Sequence, residues 1–280
     1  MNKLIMTLTI LILSVPTAFG QSYEPLDLAK KIFGKDSLAN IGNYITGEYT
    51  GRPNGQDIAK NMTTKFTLLA KTDKTAVVSM TILDSAKHGF DGYLHFEKDS
   101  VWKMSAFRAL ALTGIIQQMV QELEKLTPEQ VDELITESNQ SDNGIEMFAS
   151  KDEYDFRLGN AKLIIALDDN IAAHFLKNKS KFEMIKDLAS KQLEGESRDE
   201  EMSIKLVENL INDYQKILIS SVSTGGYEFG NCIVFLIGGM VDNTVGYLYV
   251  KDEKDLPKMN SDRTIMIRKI ADGWYIYKTT

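Results

Sequence analysis

Four consecutive stretches in which apolar and polar residues alternate constrain the fold of this chain more than any other feature. They lie at residues 65–71, 75–83, 92–98 and 101–107. Short polar turns containing Asp or Gly separate them. A period of two residues is typical of strands with one buried face, and short turns join antiparallel neighbours. We therefore predict a meander of four antiparallel strands in the N-terminal half.

Apolar residues with helical spacing lie on both sides of this meander. Residues 26–45 predict two short helices with a break at 34–36, and residues 115–126 predict a longer one. Thr127 and Pro128 have the residue types of a helix cap and a first helical position, and Gln130 completes a capping box. Further helices are expected over 171–177 and 182–193, and a long one from Ser197 to about Leu218.

The second half also contains strand-like patterns. Residues 145–167 predict three short strands with a hairpin turn at Gly159-Asn160, and Asp272-Gly273 predicts another turn between two of four C-terminal strands. Those four strands are expected at 227–236, 244–251, 263–270 and 274–278. The most polar stretch, 138–144, is the preferred boundary between the halves. The prediction is an α+β protein with helices packed on curved antiparallel meander sheets, in two lobes at 21–140 and 141–280.

The first twenty residues have the pattern of a cleavable export signal. Lys3 precedes a short apolar run, and small residues follow Pro16 up to Gly20. We expect cleavage near Gly20-Gln21 and a secreted or periplasmic protein. The most apolar later run, 233–241, contains two glycines and is far shorter than the roughly twenty residues that span a bilayer, so no membrane insertion is expected after cleavage.

Net charge and cysteine content limit the possible partners of the protein and the ways in which its fold can be stabilised. Removal of residues 1–20 takes away Lys3 and no acidic residue, so 31 basic residues face 39 acidic ones and the net charge is −8. This balance argues against nucleic acid as a partner. The single cysteine, Cys232, excludes an intramolecular disulfide, so the fold depends on its apolar core, and Cys232 itself is predicted to be buried and structural.

Two segments share the order strand, tight polar turn, Trp, strand. They are 93–107, with Trp102, and 265–278, with Trp274. This similarity suggests a duplication that has diverged. Helices followed by such a meander, with a Trp after the last turn, resemble the nuclear-transport-factor-like and cystatin-like superfamily over residues 28–108 and 168–279. The resemblance implies a bent sheet around a helix, in a group that contains isomerases and hydratases as well as binding modules. It transfers no catalytic residue to this chain.

Two sets of side chains are candidates for a site. His88, Asp91 and His95 include the ligand types of zinc or iron, but a turn followed by a strand is a poor geometry for bringing them together, so no metal site is expected. Tyr275 and Tyr277 alternate with the core positions of the last strand. They are candidate ligand-binding residues if their face is the exposed, concave side of the sheet. Adjacent acids Asp168 and Asp169 are interpreted as a helix cap, although paired carboxylates also serve acid–base chemistry.

The leading interpretation is an exported, non-enzymatic binding or envelope-associated protein. The alternative is a hydrolase or isomerase with a carboxylate or histidine in a pocket, and a second alternative is a structural or inhibitory partner protein. The sequence carries no cofactor signature, so none is expected. Its partner, a protein or a small molecule, is not identified by any motif.

Overall fold

The computed structural model describes residues 22–140, 148–194 and 202–280, and its helices and two antiparallel sheets confirm the predicted α+β class. Two sheets are consistent with two lobes, one in each half of the chain. The predicted export signal and residues 141–144 of the predicted boundary lie outside the described residues. Residues 138–140 of that boundary belong to a helix.

The N-terminal lobe is a helix packed on the predicted meander. Its helix, α1 (Pro25–Ile32), is followed by a single 3-10 turn at Ile41–Tyr44 where a second short helix was expected. The strands pair in the order β1-β2-β3-β4. Their bounds are β1 (Thr63–Lys71), β2 (Thr75–Leu83), β3 (Gly89–Lys98) and β4 (Trp102–Arg108). All four agree closely with the predicted stretches.

Both faces of this sheet are covered. Val78, Met80 and Leu94 belong to the cluster that contains Leu28 and Ile32 of α1. Val77 and Tyr93, which point to the other face because side chains alternate along a strand, belong to the cluster formed mainly by residues of the C-terminal half. The second face of the sheet is therefore an interface between the lobes.

A predicted pair of helices links the lobes, and a third helix replaces predicted strands. The pair is α2 (Thr113–Glu124) and α3 (Pro128–Gln140), and Thr127 and Gln130 form the expected capping box with distances of 2.9 and 3.3 Å. The prediction of strands over 145–167 is wrong for the described part of that range, because Lys151–Ile164 is helix α4, and residues 145–147 lie outside the described residues. The Ser150 side chain caps it by accepting a hydrogen bond from the Glu153 amide.

Gly159, interpreted from the sequence as a turn residue, lies inside α4. A Cβ added at this position would lie 2.8 Å from the side chain of Leu218. The glycine therefore permits close packing of the helix and does not end it. The nearby buried residues Tyr154, Ala161 and Ile164 have helical spacing, which places them on one face.

The next helices follow the prediction until residue 194. They are α5 (Asp168–Lys177) and α6 (Lys179–Gln192). The predicted long helix ending near Leu218 is wrong for its described part. Helical structure is found there only in a 3-10 turn (Glu208–Leu210) and in α7 (Ile211–Gln215). The predicted capping box at 197–200 lies outside the described residues. Val207 and Leu218 have positive φ angles of 47° and 60°, which a continuous helix cannot contain.

The C-terminal sheet has the order β5-β6-β7-β9-β8. Its elements are β5 (Ser221–Thr224), β6 (Ile233–Met240), β7 (Asn243–Tyr249), β8 (Thr264–Ala271) and β9 (Trp274–Thr279), with α8 (Gly226–Phe229) between the first two. The last three strands match the prediction. The predicted strand 227–236 is wrong for its first residues, because these belong to α8. Strand β5 was not predicted.

The core of the C-terminal lobe surrounds Trp274. Its indole is fully buried, 4.9 Å from the ring centre of Phe175 on α5 and 5.7 Å from that of Phe182 on α6. Cys232 is buried, as predicted. The two similar hairpins occupy different places in their sheets, since β4 is an edge strand and β9 lies between β7 and β8. The duplication therefore stays a prediction.

Candidate ligand-binding cleft

A cavity of about 790 Å³ lies between the two lobes. One side is formed by the ends of β1, β2 and β3 near the turn at residues 72–75. The other side is formed by β8, by Tyr275 of β9 and by the connection between β7 and β8, here called the 253–262 loop. Cavities of 300–1,000 Å³ are typical sites for small organic ligands.

Apolar side chains form much of the cleft wall. Val77 contributes from the N-terminal sheet, and Leu256, Met259 and Ile267 contribute from the C-terminal lobe. Two lysines at the edge are paired, Lys71 with Glu24 and Lys269 with Glu253. Glu97, Lys258 and Asp262 also line the cleft, so the charged residues of its lining are three lysines and three acids. The cleft therefore offers an apolar interior and an edge whose charges largely compensate one another.

His95 of β3 lines this cleft and is 6% exposed. Its Nε2 atom makes no hydrogen bond within the part of the chain that the structure describes. Burial, reinforced by the nearby Arg108 guanidinium, lowers the pKa of the imidazole to about 4, although the Ile265 backbone beside the ring acts in the opposite direction. At neutral pH the ring is uncharged and has an unused polar atom.

Tyr275 of β9 is the second buried polar residue of the cleft, with 4% exposure. Its hydroxyl makes no hydrogen bond of good geometry to any described residue. Burial raises the pKa of this hydroxyl, and the neighbouring Glu253 carboxylate raises it further. That carboxylate is engaged by the Lys269 ammonium, so we rank Tyr275 as available for a ligand.

Arg108 connects the N-terminal sheet to the 253–262 loop. Its Nε donates to the Ser261 carbonyl at 2.6 Å, and its guanidinium pairs with Glu48 at 2.5 Å. The loop is also held by the Ile267 amide, which donates to the Met259 sulfur at 3.0 Å. These contacts fix the loop against the cleft and place Arg108 where it influences His95.

The three metal candidates do not converge. His88 lies in the β2–β3 turn with an 85% exposed side chain, 3.6 Å from Asp84. Asp91 and His95 are four residues apart on one strand, about 13 Å at 3.3 Å per residue. Among residues 22–140, 148–194 and 202–280, no group of three or more His, Cys, Asp or Glu side chains could hold a metal ion.

The two tyrosine candidates have different surroundings. The face of β9 that carries them is not exposed: Tyr275 borders the cleft, whereas Tyr277 is 1% exposed with its ring centre 4.6 Å from that of Phe229. Their face packs with Val234, Leu248 and Ile267. Tyr277 is thus part of a core, and of the two only Tyr275 lines the cleft.

A buried ionic network at the same lobe interface was missed by sequence reasoning. The Lys278 ammonium lies 2.8 Å from the Asp168 carboxylate, with side chains 5% and 2% exposed. The Tyr93 hydroxyl donates to both oxygens of Asp168, at 2.9 and 3.1 Å. Asp91 accepts from the Asp168 amide at 2.7 Å and from the Thr81 hydroxyl at 2.5 Å. The interpretation of Asp168 as a helix cap is wrong, because Asp168 is the first residue of α5 and Leu167 is its N-cap.

This network borders a second, small cavity of about 110 Å³, which Asp91 and Lys278 help to line. Burial raises the pKa of Asp91, as does the charge of Asp168, while Lys278 acts in the opposite direction. Asp169, beside the network, pairs with Lys65 at 2.8 Å and with Arg268 at 2.6 Å. The acidic pair at the start of α5 therefore joins the two lobes.

Comparisons with known proteins do not assign a family. No family model, curated protein or solved structure matches the chain. The resemblance to the nuclear-transport-factor-like and cystatin-like superfamily therefore stays a prediction. Among the described residues, no helix combines the length and the apolar character needed to cross a membrane.

Proposed function

We propose that this protein is an exported, non-enzymatic binding protein that holds a small organic molecule in the cleft between its lobes. The observation that carries the proposal is the presence, in the lining of one cavity, of two buried side chains, His95 and Tyr275, whose Nε2 and Oη atoms make no hydrogen bond to any described residue. A buried polar group left unsatisfied costs about 1–3 kcal/mol. A ligand that bonds to these atoms would recover that free energy.

The protonation of the two residues favours binding over catalysis. A general base is most effective when its pKa lies near the working pH. Burial and Arg108 hold the pKa of His95 far below that range, at about 4, and burial raises that of Tyr275. Both groups are therefore suited to hydrogen bonding in their neutral forms.

A hydrolase or isomerase is the second candidate, and one observation favours it. Asp91 has a raised pKa and borders the small cavity together with Lys278, as paired acid and base groups do in many active sites. Both carboxylate oxygens of Asp91 already accept hydrogen bonds from Thr81 and Asp168. We therefore rank this candidate below the binding protein.

The test is a thermal-shift screen of the protein from Gln21 onward against sugars, lipids, peptides and small acids, repeated with a blocked cleft. Ala70 lines the cleft from an exposed position on β1, so Ala70→Trp should obstruct the cleft without disturbing the core. Thr67→Trp, exposed on the same strand outside the cleft lining, is the matched control. A compound at a hundredfold excess over its Kd adds about 2.7 kcal/mol to stability.

The expected result is a stabilising compound that acts on the unmodified protein and on Thr67→Trp and not on Ala70→Trp. Stabilisation that survives in Ala70→Trp would place the ligand elsewhere and contradict the proposal. Turnover of a stabilising compound, lost in Asp91→Asn, would favour the enzyme instead.

A further inference from the structure

We infer that the ligand of the cleft is an electrically neutral, largely apolar molecule with a hydroxyl, amide or aromatic amine group that bonds at His95 or Tyr275. This inference rests on the proposed function and adds the chemical class of the ligand. It depends on the charge state of the interior, on the pairing of the edge and on the composition of the walls.

The interior of the cleft offers uncharged partners. His95 is neutral at physiological pH because burial and Arg108 oppose its protonation, and the Tyr275 hydroxyl is neutral because burial opposes its ionisation. Transferring an ionised group from water to such surroundings is costly unless an opposite charge receives it. A neutral donor or acceptor on a ligand meets no such cost and satisfies a free polar atom.

The charges at the edge of the cleft are already compensated. Lys269 pairs with Glu253, Lys71 pairs with Glu24, and Arg108, behind His95, pairs with Glu48. An ionic ligand that bound at one of these pairs would leave the displaced partner uncompensated. The exposed Glu97, Lys258 and Asp262 also line the cleft, so its charged residues are three lysines and three acids.

The walls favour an apolar body. Val77, Leu256 and Ile267 are three of the aliphatic side chains around the cavity, and Met259 adds a thioether, while polar side chains of the turn at residues 72–75 and of the 253–262 loop complete the lining. A ligand that fits would bury apolar surface against the aliphatic part of the wall and place a polar group at His95 or Tyr275.

A matched pair of fluorescent probes tests the charge preference. N-phenyl-1-naphthylamine is neutral with one N–H donor, and 8-anilino-1-naphthalenesulfonate has the same skeleton with an added sulfonate. Both are titrated into the full mature chain at pH 7 and moderate salt. We expect the neutral probe to bind at least tenfold more tightly, and its binding to be lost in Ala70→Trp and retained in Thr67→Trp.

Two further variants connect the probe to the polar atoms and to the cleft. Tyr275→Phe and His95→Leu each remove one possible partner of the probe N–H, and one of the two should weaken the neutral probe by roughly two- to tenfold, the value of a typical hydrogen bond. Met184→Gln, at an exposed apolar position on α6, controls for binding to the surface and should change nothing.

The outcomes separate the two proposals. If the sulfonated probe binds in the cleft as tightly as the neutral one or more tightly, the ligand class is wrong and the binding site stands. If neither probe binds, or if binding responds to Met184→Gln and not to Ala70→Trp, the cleft is not the binding site. Both proposals then fail.

Discussion

Substitution of Lys278 by Met should destabilise this protein far more than a change near the C-terminus ordinarily would. The side chain is 5% exposed and lies 2.8 Å from Asp168, which is itself 2% exposed. Removing one member of a buried ion pair leaves an uncompensated charge and typically costs about 3–5 kcal/mol. Tyr93 would still donate to the Asp168 carboxylate, but Asp91 would add a nearby acid. We expect a loss of about 3–5 kcal/mol.

The double variant Asp168→Asn with Lys278→Met should be more stable than the sum of the single variants predicts. It removes both charges of the pair, and the side-chain amide oxygen introduced by Asp168→Asn can still accept from the Tyr93 hydroxyl. Asp168→Asn alone leaves the Lys278 ammonium near Asp91. Because the charge of Lys278 acts to lower the pKa of Asp91, the Asp91 carboxylate can serve as the counter-ion of Lys278. Non-additivity of about 0.5–3 kcal/mol is usual for residues in contact.

Guanidinium chloride unfolding at pH 7 measures these free energies. Trp102 and Trp274 report on the N-terminal and C-terminal sheets, and circular dichroism should show whether both unfold together. A loss below about 1 kcal/mol for Lys278→Met, or strict additivity in the double variant, would refute the reasoning, because it would mean that water reaches the pair and screens it.

Three further predictions concern single positions. Ser150→Ala should cost about 1 kcal/mol in the same unfolding assay, since it removes the cap of α4, and an unchanged stability would argue against that helix start. Phe182→Ala should cost about 3–5 kcal/mol and shift the fluorescence of Trp274, with a loss under about 1.5 kcal/mol contradicting a packed aromatic core. His95 should make the protein less stable as pH falls from 6.5 towards 4, because the unfolded chain binds a proton that the buried ring, with a pKa of about 4, does not. The difference amounts to about 3 kcal/mol, and His95→Gln should lose this share of the pH dependence, which a parallel acid titration of both proteins would measure.

Local sequence patterns could predict the N-terminal sheet because each strand buries alternate residues and short turns fix the pairing. The same reasoning failed at α4, where Tyr154, Phe156 and Leu158 alternate with charged residues as in a strand. There the cap at Ser150 and the packing of the helix against neighbouring elements decide the structure. Tertiary contacts of this kind override a short local pattern.

The sequence could identify single residues of the candidate site, but it could not predict that they lie together. His95 and Tyr275 each stood out in the sequence, the first for metal-binding chemistry and the second for its strand face. Their meeting in one cavity depends on how β3 packs against β8 and β9, strands about 170 residues away in the chain, and local periodicity carries no information about that. Asp168 was interpreted as a helix cap because an acidic residue at a helix start needs no other explanation. Lys278 gave no local sign that it is the partner of a buried Asp, although a buried Asp is exceptional without one.

The face of β3 that packs against the C-terminal lobe explains why the unpaired polar atom of His95 supports a binding function. Asp91, Tyr93 and His95 alternate along this strand, so all three project towards the C-terminal lobe. The C-terminal lobe supplies the Asp168 amide to Asp91 and the Asp168 carboxylate to Tyr93. At His95, the next position on the same face, the two lobes separate into the cleft, and no described residue bonds to Nε2. Since buried polar groups in folded proteins are almost always paired, the missing partner of His95 in the lining of a cleft supports the proposal that a ligand supplies it.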